Sequence, residues 1–126
     1  MGSSAALAYL ASAVLIGWGI AHLAPTRAVA ASFGEITRNN RLILVMEWTA
    51  EGVTHISLGV LIVLITRIEG AGTAATELVY GIVAAVLLVL AALTAATGSR
   101  TPVVWFRICP FVLSGAAALL VIASVD

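Results

Sequence analysis

The chain has 126 residues, of which 62% are hydrophobic and only 10% are charged. A soluble domain of this length would carry about a quarter charged residues, so the composition indicates a protein embedded in lipid. Six acidic residues balance six arginines, which gives no reason to expect a nucleic acid as a partner. The one cysteine, Cys109, excludes an intrachain disulfide and a metal site built from several thiolates.

Four long hydrophobic segments lie near residues 5–24, 42–66, 77–97 and 103–125, and each approaches or exceeds the about 20 apolar residues that span a bilayer. The segments are rich in Ala and Leu, and they lack the alternation of apolar and polar residues that marks a membrane strand. We therefore predict an all-α integral membrane protein, with residues 1–126 forming a single domain of four antiparallel transmembrane helices.

The connection between the first two spans is predicted to have structure of its own. Thr26 is expected to cap a short helix that runs through Phe33 and is closed by Gly34. Asn39 or Asn40 is then expected to cap the second span.

The arginines are unevenly distributed over the connections. The second connection has Arg67 alone, whereas five arginines lie in or next to the first and third connections: Arg27, Arg38, Arg41, Arg100 and Arg107. The positive-inside rule therefore places the first and third connections in the cytoplasm and both termini outside. We expect a multi-pass protein of the inner (plasma) membrane, of the bacterial small-membrane-protein type.

The second predicted span differs from the others because it carries ionisable side chains within an apolar run. These are Glu47, Glu51 and His55, with Thr54 beside them. On a helix at about 100° per residue, all four fall within roughly one third of the circumference. Ionisable groups at membrane depth are costly and usually face the interior of a bundle. We therefore predict that this polar stripe lines a site.

Antiparallel order brings polar residues of other spans to the level of the stripe. His22 lies near the cytoplasmic end of the first span, and Glu47 and Glu51 lie about 8 Å and 14 Å above the same boundary at about 1.5 Å per residue. The candidate catalytic residues are thus His22, Glu47 and Glu51. Thr94 is expected at a similar level. The side chains expected to bind a ligand are Trp18, Trp48, Thr54, His55 and Arg107.

For several of these residues a purely structural role is an alternative to a role in ligand binding or catalysis. The side chain of Arg107 could simply extend to the membrane surface, and His22 could be a helix-end histidine that faces the lipid head groups. Four glycines are more typical of close helix packing than of a binding cavity: Gly17, Gly19, Gly52 and Gly59. For Glu47 and Glu51 packing is a weaker explanation, because two carboxylates one turn apart repel each other.

Two carboxylates and a histidine in apolar surroundings can hold one acid and one base. The leading hypothesis is the binding of a small hydrophobic or amphipathic, lipid-like molecule, and acid–base conversion by an isomerase-like enzyme is left open. The same groups are also metal ligands. The Glu-x3-Glu-x3-His spacing, however, spreads its donors along about 12 Å of helix, so neither a metal site nor a cofactor is predicted.

Two alternatives come from other functional classes. A proton- or metal-coupled carrier would use Glu51 and His55 as a relay, and it would need a homo-oligomer because four helices give only a narrow path. An accessory subunit would use the polar stripe to bind a larger membrane complex. The expected partners are accordingly the membrane and a lipid-like molecule, with further copies of the chain or another protein under the alternatives.

Two resemblances arise from these residues. The sequence Gly19-Ile20-Ala21-His22-Leu23, followed by Pro25, resembles the small four-helix membrane proteins of the DoxX-like superfamily. His22, followed by Arg41 and Met46-Glu47, resembles the scaffold of sterol isomerases and sigma-2-type receptors. The second resemblance implies a pocket for a sterol-like or cationic amphiphile, lined by His22, Glu47 and Glu51. The isomerases carry a Glu four residues after this histidine, where the present chain has Thr26.

Overall fold

The computed structural model describes residues 2–125, and none of these residues forms a strand. The helices are α1 (Ser3–Leu23), α2 (Thr26–Ser32), α3 (Arg38–Glu69), α4 (Ala74–Ala96) and α5 (Val104–Val125), with a 3₁₀ turn at Gly98–Arg100 before the last. Helices α1, α3, α4 and α5 are each long and apolar enough to cross a membrane. The predicted all-α membrane bundle of four antiparallel helices is confirmed.

Threonine hydroxyls determine where α3 and α4 begin. The Thr37 hydroxyl accepts a hydrogen bond from the backbone N–H of Asn40 at 3.2 Å, and Thr73 forms a reciprocal capping box with Thr76. The prediction that Asn39 or Asn40 caps the second span is therefore wrong, because a suitable acceptor precedes them. As a result α3 starts four residues before the expected position and reaches 32 residues.

The short helix after the first span is confirmed as α2. Thr26 is its first residue rather than its cap, and its hydroxyl donates to the carbonyl of Leu23 at 2.6 Å. Gly34 follows with a φ of +67°, a left-handed conformation that favours glycine. Arg41 of α3 holds this end of α2, since its guanidinium donates to the carbonyls of Ala30 and Gly34 at 3.2 and 3.3 Å.

Helix α1 packs along both α3 and α5, and α4 packs along α5, while α3 and α4 touch over a much shorter length. The core between the helices is built from buried side chains such as Leu15, Ile62, Leu87 and Leu113. Large apolar side chains also cover the outer surface, for example Phe111, which is 78% exposed. An apolar exterior of this kind is what a lipid-facing surface requires.

Glycines allow α1 and α3 to approach closely. A Cβ on Gly19 would lie 2.7 Å from the backbone oxygen of Gly52, and a Cβ on Gly59 would lie 3.0 Å from the backbone oxygen of Ser12. Gly17 differs, because no heavy atom lies within 4 Å of the place its Cβ would take. The packing interpretation thus holds for Gly19, Gly52 and Gly59 but not for Gly17.

Helices α3 and α4 are joined by a hydrogen bond at one end of the bundle only. The hydroxyls of Thr66 and Tyr80 lie 2.5 Å apart, and both side chains are buried. The Thr66 hydroxyl donates to the carbonyl of Ile62 at 2.6 Å, so the Tyr80 hydroxyl is the donor to Thr66. At the opposite end of the bundle α3 and α4 are separated by a cavity.

Candidate functional site

The cavity has a volume of about 900 Å³ and lies where the C-terminal ends of α1 and α4 meet the N-terminal parts of α3 and α5. Most of its wall is apolar and aromatic. The predicted site residues in this wall are Trp18, His22, Glu47, Trp48, Glu51 and Thr54. Thr94, which was expected at the same level, also lines the cavity. These residues of different helices therefore do lie at the same level of the bundle, as the antiparallel order of the spans predicted.

His22 and Glu51 form an imidazole–carboxylate pair across the α1–α3 interface. His22 Nε2 lies 3.6 Å from Glu51 Oε2, which is within ion-pair distance but slightly long for a hydrogen bond. The His22 side chain is only 8% exposed, whereas that of Glu51 is 36% exposed. The carboxylate thus faces the cavity, and the imidazole lies behind it.

Trp48 fixes the position of His22 in two ways. Its indole N–H donates to the backbone carbonyl of His22 at 2.8 Å, which satisfies a carbonyl at the end of α1. Its ring also stacks on the imidazole, with the ring centroids 4.0 Å apart and the planes 16° apart. The indole also meets the ring of Phe106 in an edge-on contact, with the ring centroids 5.6 Å apart. Trp48 therefore connects α3 to both α1 and α5 at the wall of the cavity.

His55 is the predicted site residue that the structure places behind the wall. Its side chain is fully buried, it does not line the cavity, and its ring meets that of His22 edge-on at 6.2 Å. Neither ring nitrogen of His55 has a hydrogen-bond partner. Trp48, Glu51 and His55 lie at i, i+3 and i+7 on α3, so one helix face surrounds the imidazole of His22. The prediction of direct ligand contact by His55 finds no support in this geometry.

Glu47 and Thr54 line the cavity without joining the His22–Glu51 pair. Within residues 2–125 no hydrogen bond or ion pair connects Glu47 to either partner, and its side chain is exposed. The Thr54 hydroxyl donates to the carbonyl of Ala50 at 2.8 Å, so its proton is already used within α3. Of the two glutamates, Glu51 thus approaches His22 and Glu47 does not.

Arg107 lies outside the cavity. Its side chain is exposed, and its Nε donates to the carbonyl of Thr101 at 3.2 Å. The reason is rotational, because Trp105, Phe106 and Cys109 are the α5 residues that line the cavity and Arg107 lies on another side of the helix. The expected gathering of Arg107 with His22 and the glutamates is not observed.

Some residues of the wall carried no signal in the sequence. Phe106, Leu90 and Leu93 are apolar residues within apolar helices, so nothing distinguishes them from lipid-facing positions. Val29 had a weak signal, since the short helix α2 was expected to have an apolar side. Among the described residues, no group of three His, Cys, Asp or Glu side chains is arranged to hold a metal ion.

Fold and site together define a multi-pass helical membrane protein whose bundle contains a largely apolar cavity with an imidazole–carboxylate pair in one wall. Comparison with protein-family models, with curated proteins and with solved structures finds no match to this chain.

Proposed function

We propose that this protein binds a small amphipathic molecule in the cavity between its helices, with the polar head of the ligand at Glu51 and its apolar part against the surrounding wall. The observation that carries the proposal is the partly exposed carboxylate of Glu51, with His22 behind it, in a cavity that is otherwise mostly apolar. Ligand sites are commonly concave and apolar, with a few polar groups that fix orientation, and about 300–1,000 Å³ is their usual size.

The charge of the wall favours a ligand head that is positively charged or donates hydrogen bonds. Glu47 and Glu51 both line the cavity, and none of the arginines does. A carboxylate accepts hydrogen bonds and attracts cations, so an ammonium group or a protonated amine complements this wall. Trp18, Trp48 and Phe106 add aromatic faces, which also attract cations.

Acid–base conversion of the bound molecule is a second candidate, and the His22–Glu51 pair favours it. A carboxylate that faces a ligand and an imidazole 3.6 Å behind it can pass a proton between them. Trp48 would hold the imidazole in place for this step. Under this proposal Glu51 exchanges the proton with the ligand, and His22 acts through Glu51.

The proposal includes a location. We place Glu47, Glu51 and His22 in the cytoplasmic half of an inner (plasma) membrane with both termini outside, on the basis of the arginine distribution. A cysteine-labelling scan in a Cys109→Ala background tests this orientation. Ser99→Cys should react only with a reagent on the cytoplasmic side, and Ala71→Cys only with one on the outside. Labelling with the sides exchanged would reverse the orientation.

We also propose that the chain is related to the DoxX-like proteins or to the sterol isomerase and sigma-2-type proteins. The support for this relation is the local sequence around His22 and the position of His22, Glu47 and Glu51 in one cavity wall.

Ligand co-purification tests the proposed function. The wild-type protein and the Glu51→Gln variant are purified in parallel, and the small molecules extracted from each are compared by mass spectrometry. We expect an amphipathic compound that is present at stoichiometric level in the wild type and depleted in Glu51→Gln. Glu77→Gln is the matched control, because Glu77 is exposed at the start of α4 and lies outside the cavity. Equal amounts of every extracted compound in all three proteins would contradict the proposal.

A further inference from the structure

A second, smaller cavity of about 360 Å³ lies between α2 and the segment that leads into α5, and it is open on one side, where Phe33 is 53% exposed. It adjoins the first cavity, because Val29, Val103 and Phe106 line both. The two spaces therefore share a boundary of apolar side chains, and small side-chain rotations would let a chain of methylene groups pass from one to the other.

The second cavity offers a guest no free hydrogen-bond donor from its side chains. Its two hydroxyl groups belong to Ser32 and Thr101, and each already donates to a backbone carbonyl at 2.7 Å. The other side chains of its wall, such as Ala28 and Phe33, are apolar. Because the wall is mostly apolar and carries no charged side chain, a hydrocarbon group fits this space better than a charged head does.

The side of the second cavity formed by α2 is free to adjust. Arg41 attaches α2 to α3 through hydrogen bonds to the carbonyl of Ala30 in α2 and to that of Gly34 just after it. Within the described part of the chain, no hydrogen bond joins α2 to residues 98–106 on the other side of the cavity. The α2–α5 boundary can therefore widen for a bulky or long guest while α2 stays attached to α3.

We infer that the second cavity holds the hydrocarbon tail of the molecule whose polar head lies at Glu51. This inference rests on the proposed function and adds the class of ligand, which is a long-chain amphiphile rather than a compact one. The head interacts with the carboxylates of the first cavity, the chain crosses between Val29 and Phe106, and its end lies beneath α2.

A series of linear alkylamines tests the inference. Butylamine, octylamine and dodecylamine are titrated into the purified full-length protein, with partition into empty micelles subtracted. Intrinsic fluorescence is a suitable readout, because all three tryptophans of the chain line the first cavity. The test variant is Ala28→Phe, which places a ring in the second cavity, and the matched control is Ala31→Phe, on the same short helix but outside both cavities.

We expect Ala28→Phe to weaken dodecylamine binding about tenfold, because a ring then occupies the space of the tail, and to leave butylamine within about twofold of the wild type. Ala31→Phe should resemble the wild type for every amine. Should Ala28→Phe not fold, Ser32→Leu reaches the same space. If either folded variant shows the wild-type dependence on chain length while Glu51→Gln abolishes binding, the tail site is wrong and the head site stands. If no amine binds saturably, or if Glu51→Gln changes nothing, the proposed function fails and the tail site with it.

Discussion

The imidazole of His22 and the indole of Trp48 stack face to face with their centroids 4.0 Å apart, and the same indole donates to the backbone carbonyl of His22 at 2.8 Å. One side chain of α3 thereby fixes both the ring and the backbone of a residue at the end of α1. The carboxylate of Glu51 approaches the same imidazole from one helical turn further along α3. The arrangement of the candidate site therefore depends on the α1–α3 contact more than on any other.

Replacement of Trp48 separates its two contacts. Trp48→Phe keeps an aromatic ring over His22 but loses the N–H donor, and we expect it to lower the free energy of unfolding by about 1 kcal/mol. Trp48→Leu loses the stacking as well and should cost about 2–4 kcal/mol. Unfolding in a denaturing detergent measures both values. Trp105→Phe is the control, because Trp105 is 63% exposed and makes neither contact. Equal costs for the three variants would show that Trp48 does not hold His22.

Two glycines of α1 that are two residues apart should respond oppositely to alanine. Gly19→Ala brings a Cβ to 2.7 Å from the backbone oxygen of Gly52, so the helices must separate, and we expect a loss of about 1–3 kcal/mol in stability. Gly17→Ala meets open space and should be neutral or stabilising by about 0.5–1 kcal/mol, since alanine is the better helix former. The same unfolding assay compares them. A Gly19→Ala protein as stable as the wild type would mean that α1 and α3 lie further apart than the 2.7 Å approach at Gly19 implies.

The hydrogen bond from Tyr80 to Thr66 fixes the end of the bundle opposite the cavity. Tyr80→Phe removes the donor, while Thr66 keeps its own bond to the carbonyl of Ile62, so we expect a cost of about 1 kcal/mol. Thr66→Val leaves the buried Tyr80 hydroxyl without an acceptor and should cost more, about 1–3 kcal/mol. The double variant should be less damaged than the sum of the two single variants. Additive costs would indicate that the two hydroxyls do not interact.

The all-α bundle was predictable because long apolar segments allow few other structures, and the level of His22 opposite Glu51 followed from antiparallel order alone. The rotation of each helix about its own axis, which decides which residues face the cavity, was not predictable in the same way. With Glu47 at 0°, Glu51 lies near 40° and His55 near 80°, while the buried glycines Gly52 and Gly59 lie near 140° and 120°. The polar stripe therefore straddles the boundary between the cavity side of α3 and the side packed on α1.

The same rotational information was missing for α5. Arg107 and Phe106 are adjacent in the sequence, and only the contacts of α5 with α1 and α4 decide which of them faces the cavity. Arg107 was predicted to line the site because it is charged, whereas nothing in the sequence distinguishes Phe106 from the other apolar residues of its helix. The Trp48–Phe106 contact could not be found from the sequence for this reason.

Because Arg107 lies outside the cavity, replacing it and replacing Glu51 should affect ligand affinity independently of each other. Glu51→Gln should weaken the binding of a cationic amphiphile by about 1–3 kcal/mol, the scale of a hydrogen bond to a charged group. Arg107→Gln should leave affinity unchanged, because its guanidinium bonds to Thr101 outside the cavity. The double variant should match the sum of the two single effects to within about 0.5 kcal/mol. A double variant that binds better than this sum would place Arg107 in contact with the site after all.

The most direct test of an amphiphile site at Glu51 is to locate the bound molecule by photolabelling. A dodecylamine that carries a diazirine in its chain is activated on the purified protein, and the labelled peptides are identified by mass spectrometry. We predict saturable labelling of residues 28–33, 44–54 and 90–106, competed by unlabelled dodecylamine and lost in Glu51→Gln but not in Glu77→Gln. Labelling that spreads over outward-facing residues such as Leu78 and Val89, without saturation or dependence on Glu51, would contradict the account.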